Sequence, residues 1–276
     1  MAKFLLNGQP GEALPLTDRA LHYGDGVFET VAVVDGAPLC WEEHLRRLHH
    51  GCTRLAIAPP DAADLRAEAE RLVPPGGRAV LKIIVSRGSG GRGYQSPESV
   101  NPTRILGLYD WPDYPETLYR NGINCTLSRV RLGHVPALAG IKHLNRLEQV
   151  LARDDVTARG FREGLVLDLD GNVIEGTMSN LFLISDTSLI TPNLDNCGVA
   201  GIIRRLILDR VLEWGLRPEV RTLGVDDVRA AEELFLCNSI LGVCPISGLD
   251  DRAWPVGPYT RAIMDSLAGD GQIAGP

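Results

Sequence analysis

Hydrophobic residues in the first part of the chain follow two spacings, one typical of helices and one typical of strands. Intervals of four, three, four and three predict an amphipathic helix, formed by Trp41, Leu45, Leu48, Cys52 and Leu55. Prolines 59 and 60 end this helix, and residues 61–72 predict a second one. Short apolar runs bounded by turn residues predict strands over 4–6, 27–34, 78–85 and 103–109.

The stretch Trp111–Pro115 contains two prolines and is the best candidate for a linker. It predicts an N-terminal domain over residues 1–110, a linker over 111–116 and a larger C-terminal domain over 117–276. Beyond the linker we expect a strand over 122–130, a helix after Lys142, a hairpin over 164–185, a strand over 189–191 and a helix over 202–214. Since strands and helices mix without regular βαβ alternation, two α+β domains with a cleft between them are predicted.

Composition narrows the classes of protein that fit. With 276 residues and 44% hydrophobic content, the chain can build a full core. A net charge of -7 makes nucleic acid an unexpected partner. The six cysteines are scattered, without a C-x-x-C pair or a matching histidine spacing, so we expect reduced thiols and no metal site. The apolar run at the N-terminus is too short for a signal peptide and no stretch approaches a membrane span, so a cytoplasmic protein without a membrane partner is expected.

Lys142 is the first candidate for chemistry. It follows a small-residue loop and opens a helical pattern with Leu144, Leu147 and Leu151 on one face, so packing of that face is expected to anchor it. A lysine amine becomes a useful nucleophile when it is desolvated or held near other cations. The alternative is an ordinary basic residue in the first turn of a helix, although that position is electrostatically poor. The residues around Lys142 leave both interpretations open.

Four further features could bind a charged ligand. Glu175 lies in an apolar strand and needs either a neighbouring donor or a bound ligand. Arg47 lies beside the buried stripe of the first helix, where it could reach a phosphate or extend from the core edge to solvent. The helix start at Ile202 and Ile203 offers backbone N–H groups to an anion. Asn238 and Ser239 interrupt an apolar strand and suit either phosphate oxygens or a cap.

A glycine-rich loop follows the strand over 78–85. Residues 88–93 fit the pattern G-x-G-x-x-G, but proline-rich loop sequence follows instead of a helix, so dinucleotide binding is rejected. Arg87, Arg92 and Tyr94 place two guanidinium groups and a phenol on this loop, which suits a carboxylate. A solvated basic loop is an equally good interpretation.

Taken in chain order, the arginine, the lysine, the glutamate and the helix start resemble the fold-type IV pyridoxal phosphate enzymes, the family of the branched-chain and D-amino acid aminotransferases. The resemblance covers essentially the whole chain. Residues 86–94 and 139–150 are similar to the aminodeoxychorismate lyases within that family. Residues 23–30 also fit, with Thr30 at the position where the lyases carry threonine.

The resemblance implies an α+β, two-domain, fold-type IV enzyme with pyridoxal 5'-phosphate in the cleft, and a homodimer. It implies that Lys142 forms the Schiff base, that Glu175 bonds the pyridine nitrogen and that Arg47 binds phosphate. The remaining phosphate ligands would be the backbone N–H groups of Ile202 and Ile203, with Ser239 or Asn238.

For the lyases, the resemblance implies a small-molecule substrate, 4-amino-4-deoxychorismate, and the products 4-aminobenzoate and pyruvate. Lys142 would then take the C4 proton, and Thr30 would assist at the leaving group. The two substrate carboxylates would be oriented by Arg92, Tyr94 and Arg104. Two alternatives stay open: an aminotransferase on the same scaffold, and a binding protein of this fold without cofactor.

Overall fold

The computed structural model describes residues 3–98 and 101–275, which group into two compact units. The first unit holds the described residues up to Pro112 together with Ile141–Asn145. The second holds Asp113–Gly140 and the described residues from Arg146 onward. A continuous C-terminal domain after the linker was the expectation, and the sequence pattern did not assign 141–145 to the first unit. Among the described residues, no helix has the length and apolar character needed to cross a membrane.

The first unit is an antiparallel sheet with two main helices. Its elements are β1 (Phe4–Leu6), β2 (Gln9–Pro10), α1 (Arg19–Tyr23), β3 (Gly26–Val34), β4 (Ala37–Pro38), α2 (Trp41–Arg54), α3 (Ala62–Leu72), β5 (Arg78–Ser86) and β6 (Thr103–Asp110). The strand order is β2-β1-β6-β5-β3-β4. The strands and helices expected from the apolar spacing are therefore confirmed, with ends that differ by a residue or two.

Every second residue of β3 faces the core of this unit. Val27, Val31 and Val33 are buried and pack with the apolar stripe of α2, in which Leu45 and Leu48 are also buried. Successive strand residues point to opposite faces of the sheet, so the residues between them face the other way. Two faces of one strand thus serve two purposes, one for the core and one for the candidate site.

The second unit is built on a larger mixed sheet. Its elements are α4 (Glu116–Asn121), β7 (Ile123–Leu132), α5 (Leu147–Ala158), β8 (Glu163–Asp168), β9 (Val173–Gly176), β10 (Asn180–Ser185), β11 (Ser188–Pro192), α6 (Ile202–Arg210), a 3₁₀ turn (Val211–Trp214), β12 (Arg217–Arg221), α7 (Val225–Ala230), β13 (Glu233–Asn238), β14 (Gly242–Leu249), β15 (Arg252–Ala253) and α8 (Pro258–Gly269). The strand order is β12-β11-β10-β13-β14-β7-β8-β9, and β15 pairs with β14. Strands β7, β8 and β14 pair in parallel, whereas β10, β13 and β14 pair antiparallel.

The helix predicted to open at Lys142 starts five residues later, at Leu147. Leu147 and Leu151 are 70% and 51% exposed, so packing of a helical face does not anchor the lysine, and that expectation was wrong. The leucine spacing misled because Lys142 and Leu144 form backbone hydrogen bonds to β3, and His143 between them forms a β-bridge with Val27. Backbone N–H and C=O groups that are hydrogen-bonded to a strand are not available for the hydrogen bonds of a helical turn.

No helix follows the glycine-rich loop within 87–98 or 101–102, which agrees with the rejection of a dinucleotide site. The loop is held by its backbone. Arg19, buried in α1, donates to three consecutive carbonyl groups, those of Gly93, Tyr94 and Gln95, over 3.0, 3.1 and 3.5 Å. The Gly93 N–H donates to the hydroxyl of Tyr23 over 3.1 Å. Hydrogen bonds between side chains of α1 and the main chain of the loop therefore hold its path.

Gly88 in this loop is predicted to resist substitution. Its φ is +92°, and an added Cβ would overlap the carbonyl oxygen of Asn101. Gly88→Ala should lower the free energy of unfolding by about 1–3 kcal/mol, because alanine is strained at positive φ. Urea unfolding measures this. Gly91→Ala is the matched control, since Gly91 lacks both the positive φ and any described atom within 4 Å of an added Cβ. Equal losses in both variants would contradict the prediction.

Candidate active site

Lys142 is fixed by backbone hydrogen bonds on both sides. The N–H of Phe28 donates to the carbonyl of Lys142, and the N–H of Leu144 donates to the carbonyl of Gly26, each over 2.9 Å. Between them, His143 forms an isolated antiparallel bridge with Val27. The lysine side chain therefore leaves the main chain at a defined point on the edge of β3.

The face of the sheet that carries Phe28 and Thr30 bears two ammonium groups. The Nζ atoms of Lys142 and Lys82 lie 4.4 and 5.3 Å from the centre of the Phe28 ring. Lys82 is the cross-strand partner of Thr30, so its ammonium and the threonine hydroxyl leave neighbouring strands on one face. Sequence reasoning missed Lys82. The available signal was a single charged residue inside the apolar run 79–85.

Arg47 is held by Glu29, which lies on the opposite, core-facing side of β3. Oε1 of Glu29 accepts from Nε of Arg47 over 2.8 Å, and Oε2 accepts from Nη2 over 2.6 Å. Nδ1 of His44 lies 2.6 Å from the same Oε2. Glu29 and His44 are both 1% exposed. The candidate phosphate ligand, Arg47, is thus the partly exposed member of a cluster with the buried residues Glu29 and His44, which we call the Glu29 cluster.

Burial alone would raise the pKa of Glu29, but the charge and hydrogen bonds of Arg47, with the hydrogen bond of His44, outweigh it and hold the pKa at about 2. Burial also lowers the pKa of His44, and the charges of Arg47 and Lys142 lower it further, against the pull of Glu29. The carboxylate is therefore ionised and the imidazole neutral near pH 7. Since an ionised carboxylate can only accept, Nδ1 of His44 carries the proton.

Glu175, in the second unit, lies on β9, and its side chain contacts the turn that leads to α6. Its side chain is 5% exposed, and Oε2 accepts from the N–H of Val199 over 2.9 Å. The positive charge of Arg146 is also near enough to attract it. A buried carboxylate oriented by a backbone donor can accept a further proton donor in a fixed direction.

The N-terminus of α6 lies directly after this turn. Gly201 caps the helix without a side-chain hydrogen bond, so no cap side chain takes up the N–H groups of the first turn. A Cβ at Gly201 would overlap Oδ1 of Asn180, whose Nδ2 donates to the carbonyl of Val199 over 2.8 Å. The turn at Val199 thus connects two different binding groups, the carboxylate of Glu175, which suits a proton donor, and the helix start at Ile202 and Ile203, which suits an anion.

Asn238 and Ser239 occupy the turn between β13 and β14. The amide of Asn238 donates to the carbonyl of Met178 over 3.1 Å, and its Oδ1 accepts from the N–H groups of Ile240 and Leu241 over 2.8 and 2.7 Å. The capping alternative therefore describes Asn238. Ser239 lies at the tip of this turn, which leaves its hydroxyl as the better candidate for a phosphate.

The arginines proposed from the sequence for carboxylates differ in what surrounds them. Arg87 is buried and pairs with both oxygens of Asp25, so it holds the fold. Arg104 donates through Nε to Glu68 over 2.8 Å and pairs with the same carboxylate through Nη2, which commits one edge of its guanidinium. Arg92 and Tyr94 are exposed on the glycine-rich loop. Among these four side chains, Arg92 and Tyr94 are the better candidates for a substrate.

One group among the described residues has the composition of a metal site. Single ligand atoms of His134, Asp168 and Asp170 lie within 4.8 Å of one another. However, the carboxylate of Asp168 accepts from the N–H groups of Asp170 and Asn172 over 3.0 and 2.8 Å and so stabilises the β8–β9 turn. Turn formation accounts for this arrangement.

The chain belongs to the family described as class IV amino-transferases, whose model matches residues 26–249. It is 35% identical to an aminodeoxychorismate lyase from Vibrio harveyi over 96% of this chain and 99% of the relative. A crystal structure of 4-amino-4-deoxychorismate lyase from Pseudomonas aeruginosa is 44% identical, covers 98% of this chain and 100% of its own, and superposes with a TM-score of 0.92. The fold-type IV, α+β architecture expected from the sequence is therefore confirmed.

Aminotransferases of the family are more distant. A D-alanine aminotransferase from Bacillus licheniformis is 27% identical over 96% of this chain and 95% of its own length. The branched-chain amino acid aminotransferase structure from Escherichia coli shares the fold, with a TM-score of 0.86 at 23% identity over 98% of this chain and 95% of its own.

The low pKa of Glu29 predicts a specific loss of stability in acid. Because the pKa in the folded protein lies below the ordinary value of 4.5, the stabilisation is complete above 4.5 and disappears as the pH falls through about 2. The wild-type protein should lose about 2 kcal/mol more unfolding free energy than Glu29→Gln between pH 5 and pH 3. Urea unfolding at each pH measures this, and parallel curves for the two proteins would contradict it.

Proposed function

We propose that the protein is a pyridoxal 5'-phosphate-dependent lyase that converts 4-amino-4-deoxychorismate to 4-aminobenzoate and pyruvate, a step of folate biosynthesis. The observation that carries this proposal is the fixed position of Lys142 beside β3, the strand that bears Thr30. The similarity to two lyases of this activity, over nearly the full length of each, supports the same conclusion.

The donor sets in both units fit the chemistry of the cofactor. Lys142 supplies the amine for covalent attachment, and Arg47 supplies a cation for the phosphate. The N–H groups of Ile202 and Ile203, with the hydroxyl of Ser239, supply neutral donors to a dianion, as a helix N-terminus commonly does. Glu175 would accept a hydrogen bond from the ring nitrogen and keep it protonated. When bound, pyridoxal phosphate draws electron density from the substrate carbon that carries the amine.

Lys142 acts as the base in the proposed reaction. With its amine free, Lys142 would take the proton from C4 of the substrate, a carbon that the bound cofactor would make more acidic. Its backbone bonds to β3 keep it at the same point of the sheet before and after release, so the base is already positioned. Loss of pyruvate from the adjoining carbon then gives an aromatic ring, which drives the step.

Thr30 and Lys82 act on the substrate from the same face of the sheet. The Thr30 hydroxyl orients the leaving group or delivers a proton to it. The Lys82 ammonium suits one of the two substrate carboxylates, and Arg92 with Tyr94 suits the other. Arg104 is not included because its guanidinium, besides pairing with Glu68, lies 3.8 Å from a second carboxylate, that of Asp64.

Exposed apolar residues support the proposed homodimer. Leu147, Val150 and Leu151 of α5 are 70%, 51% and 51% exposed and form one patch at the start of the helix. Patches of this kind on soluble proteins commonly mark a protein interface. As an enzyme of folate synthesis, the protein is expected to act in the cytoplasm.

An aminotransferase on the same scaffold is the second candidate. It is favoured by the relatives of that activity, including the D-alanine aminotransferase, which the chain matches over 96% of its length. Such an enzyme needs a 2-oxo acid as second substrate, whereas the lyase needs none. A binding protein without cofactor would lack the visible absorption band that pyridoxal phosphate gives when bound to lysine.

The lyase proposal predicts product formation without a second substrate. Purified protein supplied with aminodeoxychorismate alone should release 4-aminobenzoate and pyruvate in equal amounts, followed by fluorescence and a coupled pyruvate assay. The control is D-alanine with a 2-oxo acid, for which turnover should be much slower. Rapid transamination with no 4-aminobenzoate would assign the protein to the aminotransferases instead.

Two variants should distinguish the residue that attaches the cofactor, Lys142, from the residue that keeps its ring nitrogen protonated, Glu175. Lys142→Ala should abolish both the visible band and turnover, because it removes the amine that is attached and the base. Glu175→Gln should keep the band but slow turnover by about 10²-fold or more, because a neutral amide stabilises a protonated ring nitrogen poorly. Absorbance and steady-state kinetics measure the two effects, and full activity in Glu175→Gln would refute its role.

A further inference from the structure

The carboxylate of the Glu29 cluster lies at a core-facing strand position, where an apolar residue is expected. Glu29 lies between Val27 and Val31 on the core-facing side of β3 and is 1% exposed. Burying a carboxylate is costly, and replacing a buried ion pair by packed apolar residues is often neutral or stabilising. Folding alone therefore does not explain why this position carries a charge.

The geometry of the cluster shows what the carboxylate does. Both of its oxygens engage one edge of the Arg47 guanidinium, which fixes the plane and the direction of that planar group. His44 donates to the same carboxylate from one helical turn earlier on α2, so the carboxylate itself cannot rotate. An arginine otherwise has a long, flexible stem whose immobilisation opposes binding.

We propose that Glu29 is a positioning residue for the cofactor phosphate, and that it acts by holding the Arg47 guanidinium in its binding orientation before the cofactor arrives. This inference rests on the proposed role of Arg47 as a phosphate ligand. Glu29 does not touch the phosphate. Its contribution is to remove the cost of ordering Arg47 from the binding step.

Charge alone gives the opposite expectation, which makes the inference testable. Glu29 is an anion that partly neutralises Arg47, so its field weakens the attraction of Arg47 for another anion. If only charge mattered, removing it would tighten binding of the phosphate. If orientation matters more, removing it weakens that binding.

The test compares two ligands that differ only in the phosphate. Pyridoxal 5'-phosphate and phosphate-free pyridoxal are titrated separately into cofactor-depleted protein, and the visible band of the lysine-bound ligand gives each Kd. Glu29→Gln should weaken pyridoxal phosphate about tenfold, equal to about 1.4 kcal/mol, and leave pyridoxal unchanged. Equal weakening of both ligands, no change, or tighter binding of the phosphate ester would each overturn the inference.

Arg47→Gln separates this inference from the proposed function on which it rests. It should weaken pyridoxal phosphate more than Glu29→Gln does, again without affecting pyridoxal. If Arg47→Gln has no effect on either ligand, the phosphate role of Arg47 fails. If it weakens the phosphate ester while Glu29→Gln does not, only the positioning role of Glu29 fails.

Glu68→Gln is the matched control within the same unit. Glu68 is 5% exposed and binds both Nε and Nη2 of Arg104, so it reproduces the burial and the two-point pairing of Glu29. It should lower the free energy of urea unfolding without changing the affinity for either ligand. Selective loss of phosphate affinity in Glu68→Gln would show that the effect is general to buried pairs and would overturn the inference.

Glu29→Asp covers the case in which Glu29→Gln fails to fold. Aspartate keeps the charge but is one methylene shorter, so it cannot reach both nitrogens of Arg47 in the same way. Weaker binding of pyridoxal phosphate, with pyridoxal unchanged, is again the expected result. Wild-type affinity for both ligands would show that the charge suffices and the orientation does not matter.

Discussion

The structure of the first unit depends on the pairing of residues 141–145 with β3. Two main-chain hydrogen bonds bring this late segment back to the sheet formed by the start of the chain. The pairing needs a close approach, and Gly26 allows it. A Cβ at Gly26 would lie 2.8 Å from a side-chain carbon of Leu144 and would collide with the backbone of β5. The absence of a side chain at Gly26 therefore leaves room for two neighbouring segments, the one that carries Lys142 and β5.

Two carboxylates in this unit, those of Glu29 and Asp25, are each shared by two donor residues. Asp25 accepts from Arg19 and Arg87, each over 2.8 Å. Burial would raise the pKa of Asp25, but hydrogen bonds from Arg87 and Arg19 outweigh it and lower the pKa. Such sharing compensates the desolvation of each charge and fixes side chains that would otherwise move. Rigidity near the lysine thus comes from ion pairs as well as from apolar packing.

Strands and helices were largely predictable because their apolar spacing is local. The segment 141–145 was not, since Leu144 lies at helical intervals from Leu147 and Leu151 and so fits a helix pattern equally well. Its true partner, β3, lies more than a hundred residues earlier, and no local rule identifies that pairing. The same reason explains the division of the chain into units, since one of them takes residues from both sides of the linker.

Candidate site residues were predictable where their own chemistry was unusual in its surroundings, as for Glu175 in an apolar strand. The roles of the arginines were harder to predict, because they depend on carboxylate partners that cannot be identified from the sequence. Arg87 and Arg104 looked like ligands for a carboxylate, and the structure gives them the carboxylates of Asp25 and Glu68. Lys82 was overlooked although it carries the same signal as Glu175, a single charge in an apolar strand.

The contacts of Arg19 with the glycine-rich loop also bear on how such a protein could diversify. Arg19 recognises the loop through carbonyl oxygens, which every amino acid possesses, so these three contacts do not depend on which side chains stand at 94 and 95. The side chains on the loop can change while its course over the sheet is retained. Mutation can therefore alter what these positions recognise without first having to build a new loop.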